Sequence, residues 1–487
     1  MNWSTICFIV SFLWPIAVLV IATILGKHGV NEETTRKTVH VGVSNWIIFA
    51  VIGFKSGWYA SILPFLFIFV NAYSAKKGLI SAMERSENNT FGTVWYAVSL
   101  LILTFTGFML KKPWIALTGV LAMGYGDGLA AVVGVRLGRH HFPAPYAKKS
   151  LEGSLSVMLI SGLVAGIACY FYRDATYPSY FLHVALACAV PAGVIELFTP
   201  RGLDNLSLPL SVGGIAYLLD VCPEAFPAFL SLGIGMLILL AAFYLRAITV
   251  EAFWVASLLG ILIFLFSGWP GFLALILFFC VGSVVSFVGK KRKKESLFVH
   301  EHEGARVISQ VLANGLPSLL FAVLYFITKQ EFFLLIVILC FAADTADTFS
   351  SELGMLSKKT PVSILSFKPV QKGLSGGVTL LGFAGAFLGA LCLSCLAYPR
   401  FGLTGVLLVI LAGLFDSCVD SVLGAALQAK YAASDGGRQR VTERPSIDGK
   451  ALKLIHGVRW ITNDWVNFLS VLITGVVFSP IAWLALR

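Results

Sequence analysis

The stretch GYGDGLAAVVGVRLG at residues 124–138 is an apolar segment with one carboxylate, Asp127, inside it. The basic loop AKKSLEGSLS at 147–156 follows and leads through a Gly–Ser turn into the next apolar run. A carboxylate inside a hydrophobic span is costly, so Asp127 is a candidate functional residue. Lysines just outside it create a place where phosphate and a divalent metal can meet.

The same order of features recurs in the other half of the chain. FAADTADTFSSELG at 341–354 contains Asp344 and Asp347, and VQKGLSGGVT at 370–379 supplies a basic, Gly-rich loop. Two acids one turn apart inside a span are difficult to explain by packing alone. The pattern indicates two distantly repeated domains with a boundary near 245, and chance or convergence is the alternative for so short a set of matches.

The composition is that of an integral membrane protein. Of the 487 residues, 57% are hydrophobic and 13% are charged, and the mean hydropathy is +0.85. A soluble domain has about 25% charged residues. The apolar runs are long and do not alternate, so we predict an all-α polytopic membrane protein with about sixteen transmembrane helices in two helical bundles. The predicted spans are centred near 15, 46, 66, 100, 124, 162, 188, 214, 234, 257, 278, 317, 341, 385, 412 and 474.

The basic residues predict the orientation. Most of the 36 lysines and arginines lie in alternate loops, and by the positive-inside rule those loops are cytoplasmic. Both candidate sites then face the cytoplasm, and both termini lie outside. The net charge of +11 is therefore attributed to topology and to contact with lipid headgroups, and no nucleic-acid partner is expected. The nine cysteines are scattered, mostly within apolar runs, which favours a packing role.

Polar residues around Asp127 complete a candidate site in the first half. Glu196 closes one apolar span and Asp204-Asn205 opens the next, so their oxygens can complete a Mg²⁺ site held jointly with phosphates. Lysines before a Gly–Ser turn suit polyphosphate, because they add point charges to the N–H donors of a helix start. A plainer interpretation is that these lysines and His40 are ordinary residues of helix ends at the membrane interface. The alternative for His40 is a role as a base. The candidate metal ligands are Asp127, Glu196, Asp204 and Asn205, and the candidate phosphate-binding residues are Arg36, Lys148, Lys149, Glu152 and Gly153.

The second half carries a denser acidic set. Asp344 and Asp347 fall within one arc of a helix, and Asp416 and Asp420 share a face of another span. Metal, phosphate and a buried polar cavity fit this set, and so does a cation pathway. The candidate metal ligands are Asp347, Glu352, Asp416, Asp420, Asn463 and Asp464, and the candidate phosphate-binding residues are Asn314, Lys372, Gly373 and Gly376.

Both halves resemble known families. Residues 36–42 (RKTVHVG), 124–156 and 196–210, with GDGLAAVVGVRLG, KKSLEGS and LDNLSLPL, resemble the dolichol kinase and phytol kinase family of CTP-using lipid-alcohol kinases. Residues 245–487 resemble the separate DUF92 family of membrane proteins, which includes phytyl-phosphate kinases. The motifs that carry this second resemblance are QVLANGLPS, DTADTFSSELG, VQKGLSGGVTLLG, DSCVDSVLGA and RWITNDWVNFLS.

The two resemblances together imply successive reactions. Domain 1–245 is expected to convert an isoprenoid alcohol such as phytol or geranylgeraniol to its monophosphate, and domain 246–487 to convert the monophosphate to the diphosphate. Mg²⁺ and CTP, or another nucleoside triphosphate, are the implied cofactor and phosphoryl donor, and membrane lipids surround the substrate. The catalytic candidates are His40, Asp127, Asp344 and Asp347.

Two other functions fit parts of the pattern. An ion-coupled transporter also carries repeats, in-span acids and Gly-interrupted helices, but here the acids lie near span ends beside lysine loops. A cytidylyltransferase that makes a CDP-lipid would use similar Mg²⁺ and CTP contacts and release pyrophosphate. The sequence leaves open the chain length and saturation of the lipid, the choice between CTP and ATP, and the oligomeric state.

Overall fold

The structure, a computed structural model, describes residues 3–77, 91–142, 149–172, 179–200, 202–287, 305–435, 438–447 and 449–487. Its contacts divide the chain into two compact units, Met1–Tyr244 and Leu245–Arg487. These are called unit 1 and unit 2 below.

Unit 1 is helical throughout its described elements. Its core lies around the sixth helix, whose first half is buried and which packs against helices on several sides. A short 3₁₀ turn at Pro223–Ala225 precedes its last helix. The helices are α1 (Trp3–Lys27), α2 (Glu32–Ser44), α3 (Trp46–Gly53), α4 (Gly57–Lys77), α5 (Gly92–Met109), α6 (Trp114–Leu137), α7 (Leu151–Tyr172), α8 (Tyr180–Phe198), α9 (Asp204–Val221) and α10 (Phe226–Tyr244).

The placement of α2 against α6 depends on two glycines. A Cβ atom on Gly124 would lie 2.1 Å from the Ser44 hydroxyl oxygen, and one on Gly128 would lie 2.3 Å from a Val41 methyl group. Only glycine permits so close an approach of the two helices. At the other end of α2, the Asn31 side chain accepts a hydrogen bond of 2.7 Å from the Thr34 amide and caps the helix. The register of α2 on α6 is therefore determined by packing.

Unit 2 surrounds one central helix. That helix is α13, whose residues from Leu334 to Ala346 are all buried and which packs against five other helices. Such all-round burial explains why its sequence is apolar on every face. The helices of unit 2 are α11 (Val250–Phe287), α12 (Ile308–Thr328), α13 (Glu331–Gly354), α14 (Leu380–Ser394), α15 (Tyr398–Ala426) and α16 (Asn463–Ala485).

Small antiparallel sheets occupy the connections between the helices of unit 2. One has three strands in the order β4-β3-β7, and the pairs β1-β2 and β5-β6 form two others. The strands are β1 (Val362–Ser363), β2 (Gly377–Val378), β3 (Lys430–Asp435), β4 (Arg438–Thr442), β5 (Ser446–Ile447), β6 (Lys450–Ala451) and β7 (Lys453–His456).

The prediction of an all-α polytopic membrane protein is confirmed. Within the described residues, twelve helices are long and apolar enough to cross a membrane, which is fewer than the predicted sixteen. The predicted spans near 46, 214 and 385 correspond to α2–α3, α9 and α14. Asn45 interrupts the first, acids at both ends reduce the apolar content of α9, and α14 has only 15 residues. The spans near 257 and 278 form one helix, α11, of 38 residues.

A glycine divides this long helix. Gly268 has φ 66° and ψ −160°, outside the helical region. A 38-residue helix would be about 57 Å long, roughly twice the hydrocarbon core of a bilayer. The kink at Gly268 therefore leaves two segments that are each long enough to be a span, as the sequence indicates.

Candidate functional site

Asp127 lies at the centre of the candidate site in unit 1. Its Oδ2 atom is 2.6 Å from Lys37 Nζ and 3.5 Å from His40 Nε2. Lys37 and His40 come from α2, one turn apart, and the glycine contacts between α2 and α6 place them over Asp127. The His40 ring packs edge-on against Tyr96, with centroids 4.9 Å apart. Nε2 of His40 is buried and has no hydrogen-bond partner among the described residues.

Two more carboxylates reach Asp127 from neighbouring helices. Oxygen atoms of Asp127, Glu196 and Asp204 all lie within 4.8 Å of one another. Glu196 comes from the last turn of α8, and Asp204 from the first residue of α9. Lys149 Nζ is 2.5 Å from Glu196 Oε1 and also donates to the Glu196 carbonyl oxygen. We call Asp127, Glu196 and Asp204 the carboxylate triad.

The triad fits a small divalent cation. Mg²⁺ takes oxygen ligands at 2.0–2.1 Å in octahedral geometry, which sets oxygen–oxygen separations of about 3 to 4 Å. Separations up to 4.8 Å require only small side-chain movements to reach that range. Three carboxylates this close repel one another unless positive charge is present. Lys37 and Lys149 supply part of that charge.

The triad lies in the wall of a cavity of about 590 Å³. Along α2 and into α3 the lining residues change from charged or polar, up to His40, to apolar, at Val43 and Trp46. We call the part of the wall with charged and polar side chains the polar end and the part with apolar side chains the apolar arm. The polar end is lined by Glu33, Arg36, Lys37, His40, Asn71, Asp127, Lys149, Glu196, Asp204 and Asn205. The apolar arm is lined by Pro15, Leu19, Val39, Val43, Trp46, Leu63, Pro64, Phe67, Val70, Ala97 and Leu100.

The other predicted residues of the first half are distributed as follows. Arg36 lines the cavity and pairs with Glu33 through two contacts, of 3.1 and 2.5 Å. Asn205 lines it too, but its amide group donates to the Gly92 carbonyl oxygen at 3.0 Å. Gly153 reaches the wall, and its backbone amide donates to the Ser150 hydroxyl.

Two more predicted residues, Glu152 and Lys148, stand in the sequence at or just before the start of α7. Glu152 does not line the cavity, and its carboxylate is 2.7 Å from His140 Nδ1. Lys148 lies outside the described residues. Of the two adjacent lysines, the structure therefore describes only Lys149 at the carboxylates.

In unit 2, acidic side chains cluster where α13, α15 and α16 meet. Asp344 interacts electrostatically with Asp347, Asp416 and Asp420. Asp416 is fully buried, and its Oδ1 atom accepts a hydrogen bond of 3.0 Å from Thr474. One oxygen each of Asp344, Asp416 and Asp420 is buried without a hydrogen-bond partner among the described residues. Such orphaned carboxylate oxygens are costly unless a proton or a cation satisfies them.

The carboxylate oxygens of this acidic cluster are more widely spaced than those of the triad in unit 1. Among the described residues, no acidic, His or Cys side chains other than those of the triad bring three ligand atoms within 4.8 Å of one another. Arg306 is the nearby positive group, and it interacts with Asp344 and Glu352. Burial lowers the pKa of Arg306, and the negative charges of those two residues partly offset that effect. Asp344, Asp347, Asp416 and Asp420 are therefore near one another, but no three of these side chains bring their oxygens within 4.8 Å of one another.

The Gly-rich loop of unit 2 forms a tight turn before β2. Gly373 and Gly376 have φ values of 88° and 85°, a conformation that favours glycine. Lys372 Nζ donates to the Ser357 carbonyl oxygen at 2.7 Å. The amide of Ser375 donates to the Glu443 carboxylate at 2.8 Å, so the sheet after α15 helps to hold this turn.

Three predicted residues of unit 2 remain: Asn314, Asn463 and Asp464. Asn463 and Asp464 line a second cavity, of about 260 Å³, with Gln428 and Arg459. Asp416 and Asp420 do not line that cavity. Asn314 has a buried side-chain oxygen without a hydrogen-bond partner among the described residues.

Several site residues are absent from the sequence-based set. Lys37 lies in the quoted stretch RKTVHVG, but a lysine before a span is usually a marker of orientation. Arg306, Lys430 and Glu443 lie in polar segments that carry no spacing signal. Lys430 Nζ donates to the Ser375 carbonyl oxygen at 3.1 Å, and burial lowers its pKa against a smaller opposite effect of Glu443.

The fold and the two acidic sites define a class: a multi-span integral membrane protein with buried or half-buried carboxylate groups clustered among its helices. The second half of the chain belongs to the family described as integral membrane protein DUF92, whose sequence profile matches residues 233–475. The predicted membership of the second half in that family is confirmed.

The chain is also similar to individual proteins, two of which are named as kinases. The phytol kinase of Synechocystis sp. is 33% identical over 202 residues, which are 41% of this chain and 86% of the relative. An uncharacterised membrane protein of Methanocaldococcus jannaschii is 37% identical over 176 residues, 36% of this chain and 72% of the relative. The chloroplastic farnesol kinase of Arabidopsis thaliana is 27% identical over 164 residues, 30% of this chain and 51% of the relative. No solved structure is significantly similar to the chain.

Proposed function

We propose that this protein is a membrane kinase that phosphorylates an isoprenoid alcohol. The observation that carries the proposal is that one cavity of unit 1 joins a carboxylate triad and two lysines to an apolar arm. A lipid alcohol has the same division into a polar head and an apolar chain. The relatives named phytol kinase and farnesol kinase support the reaction class and the substrate class.

The chemistry proposed for unit 1 is transfer of the γ-phosphoryl group of a nucleotide to the alcohol oxygen. His40 Nε2 lies 3.5 Å from Asp127 and has no other described partner, so it is positioned to accept the hydroxyl proton as the O–P bond forms and the nucleoside diphosphate leaves. Lys37 and Lys149 would neutralise the transferred group, because phosphoryl transfer depends mainly on positioning and charge stabilisation. The triad would hold Mg²⁺, which neutralises the phosphates of the donor when it is bound.

A second phosphorylation is proposed for unit 2. The support is the match to a family distinct from the phytol kinases by name, together with the acidic cluster whose buried oxygens have no described partner. In this proposal, domain 1–245 makes the isoprenyl monophosphate and domain 246–487 converts it to the diphosphate. Asp344, Asp347, Asp416 and Asp420 would hold the cation, and Lys372 would face the phosphates.

The donor and the orientation complete the proposal. CTP is the proposed donor, with another nucleoside triphosphate as the alternative. The concentration of basic residues in alternate loops favours an orientation in which both candidate sites face the cytoplasm and both termini lie on the other side. Nucleotide is then available to both units.

The test is product analysis with purified full-length protein in lipid nanodiscs. The protein is incubated with Mg²⁺, geranylgeraniol or phytol, and CTP labelled in the γ-phosphate, and the lipids are separated. Labelled mono- and diphosphate are the expected products. A CDP-lipid with release of pyrophosphate would instead indicate a cytidylyltransferase. No labelled lipid with either CTP or ATP would contradict the proposal and favour ion-coupled transport, measured as cation flux into proteoliposomes.

A further inference from the structure

The apolar arm of the unit 1 cavity extends well beyond the reacting groups. Asn71 donates to the Thr93 carbonyl oxygen at 2.9 Å and so fixes α4 beside α5 near the polar end. From Asn71 back to Leu63, α4 rises about 12 Å, and from Thr93 to Leu100, α5 rises about 10 Å. All four residues line the cavity. The arm therefore runs roughly 10 Å between these helices, away from the charged groups.

The far part of the arm meets the packed core. Trp46, Leu63 and Leu100 line the arm and also belong to the buried core cluster of unit 1. Trp46 is only 1% exposed and is the largest of the three. It lies directly after Asn45, where α2 gives way to α3. A bulky, buried side chain at this position limits the depth that a chain inside the arm can reach.

One side of the arm faces the surroundings of the protein. In the described residues, α1 packs along α2 and α3, and α4 packs along α5, with no comparable packing between α1 and α4. Both helices nevertheless line the arm, through Leu19 on α1 and Val70 on α4. Val70 is 48% exposed and lines the cavity, and its neighbour Phe69 is 59% exposed without lining it. The rim between α1 and α4 is thus apolar.

The outer faces of α1 and α4 identify what surrounds this rim. Leu13 and Ile16 on α1 and Phe65 and Phe69 on α4 are all more than half exposed. Both helices are long and apolar enough to cross a membrane. Lipid is therefore the medium at the rim, and a chain that passes between α1 and α4 moves from one apolar environment to another.

We propose that the apolar arm binds the hydrocarbon chain of the substrate, that Trp46 limits the accepted chain length, and that the chain enters sideways from the bilayer between α1 and α4. The inference rests on the proposed function for the identity of the head group. The assignment of the hydrocarbon chain follows from the apolar lining residues, which continue along α4 and α5 away from the charged groups, from Val70 to Leu63 and from Ala97 to Leu100. The hydroxyl then lies at the polar end, beside His40 and the carboxylate triad.

Selectivity for chain length tests whether Trp46 closes the far end of the apolar arm. Full-length protein in nanodiscs is assayed with C5, C10, C15 and C20 isoprenoid alcohols. Trp46→Ala should raise kcat/KM for the longest chain relative to the C10 alcohol by about tenfold, since pocket volume discriminates between chains of different length. Leu63→Ala, at the same end, gives an independent test if the first variant folds poorly. Unchanged ratios in both variants would overturn the limit assigned to this end.

A bulky residue on the rim tests the sideways entry. Val70→Trp should lower kcat/KM for the C20 alcohol at least about tenfold more than for the water-soluble C5 alcohol. Phe69→Trp is the matched control, because Phe69 is adjacent on α4 and does not line the cavity. Equal losses for short and long alcohols, or equal losses in the control, would contradict entry at this rim.

Photolabelling separates this inference from the kinase proposal. A C15 isoprenoid alcohol with a diazirine near its far end is cross-linked without nucleotide, and the labelled residues are mapped by mass spectrometry. Labelling should fall on residues around Trp46, Leu63 and Leu100 and should be competed by unlabelled alcohol. Labelling there without turnover would refute the kinase and retain the binding site. Labelling that is confined to the outer faces of the helices would refute the binding site itself.

Discussion

Lys37 and Asp127 form a largely buried ion pair between α2 and α6, with Nζ 2.6 Å from Oδ2 and side chains 6% and 14% exposed. The pair joins a helix that follows a short polar turn to the helix that carries the in-span acid. It also places a positive charge directly at the carboxylate triad. Its strength should therefore be visible both in stability and in the organisation of the site.

The ion pair predicts non-additive stability. Lys37→Met leaves the Asp127 charge buried without its nearest partner, a change that typically costs about 3 kcal/mol. We expect the melting temperature in detergent, measured with a chelator present, to fall clearly. The double variant Lys37→Met/Asp127→Asn should recover most of that loss, because no unpaired charge remains. A single variant as stable as the natural chain would mean that the pair is not buried as described.

The close approach of α2 and α6 predicts a contrast between two glycines. Gly124→Ala places a Cβ atom 2.1 Å from the Ser44 hydroxyl, so we expect a loss of about 1–3 kcal/mol in stability together with a loss of alcohol phosphorylation. Gly214→Ala is the control, since no atom lies within 4 Å of the added Cβ. It should be neutral or slightly stabilising. Thermal unfolding and turnover of both variants check this, and equal effects would contradict the packing.

The carboxylate triad predicts a divalent cation site in unit 1. Asp204→Asn should weaken Mn²⁺ binding, measured by electron paramagnetic resonance, and lower alcohol phosphorylation about 100-fold, as loss of several kcal/mol of charge stabilisation implies. Asp220→Asn is the matched control. It makes the same chemical change on the same helix, where Asp220 pairs with Lys112 instead of the triad. A loss of Mn²⁺ binding in the control, or none in Asp204→Asn, would argue against the site.

The orphaned oxygens of unit 2 predict a second cation site that is independent of the first. With the triad disabled by Asp204→Asn, Mg²⁺ should still raise the melting temperature. Adding Asp416→Asn should abolish that increase, because Asp416 is fully buried and one of its oxygens has no described partner. Adding Glu331→Gln should not, since Glu331 lies at the far end of α13 and pairs with exposed Arg400. Persistence of the Mg²⁺ effect in Asp416→Asn would place the cation elsewhere.

Much of the unit 1 site could be predicted because its acids are costly in a membrane. Asp127, Glu196 and Asp204 stand out in the sequence for that reason, and the structure brings them within 4.8 Å of one another. The contribution of Lys37 could not be predicted, because a lysine before a span has a sufficient explanation in topology. The partner of Glu152 could not be predicted either, because its contact with His140 joins the first turn of α7 to the preceding loop and leaves no spacing signal in the sequence.

The helices themselves could be predicted better than their number. Hydropathy indicates how long an apolar segment is. It does not reveal the interruption at Asn45, and it does not show that the two segments around Gly268 form one kinked helix. The small sheets beyond α15 also escape it, because their strands have at most six residues and are stabilised by contacts such as that between Glu443 and Ser375. Long-range contacts of this kind leave no periodic signal in the sequence.

If two units perform two successive phosphorylations, single substitutions should separate the two reactions. Asp127→Asn and Asp347→Asn variants are each supplied with geranylgeraniol or with geranylgeranyl monophosphate, together with Mg²⁺ and γ-labelled CTP, and the lipid products are quantified. The account predicts that Asp127→Asn makes no product from the alcohol yet converts the monophosphate to the diphosphate. It predicts that Asp347→Asn converts the alcohol to the monophosphate and stops there. Loss of both steps in either variant, or retention of both, would contradict the division of the reaction between the units.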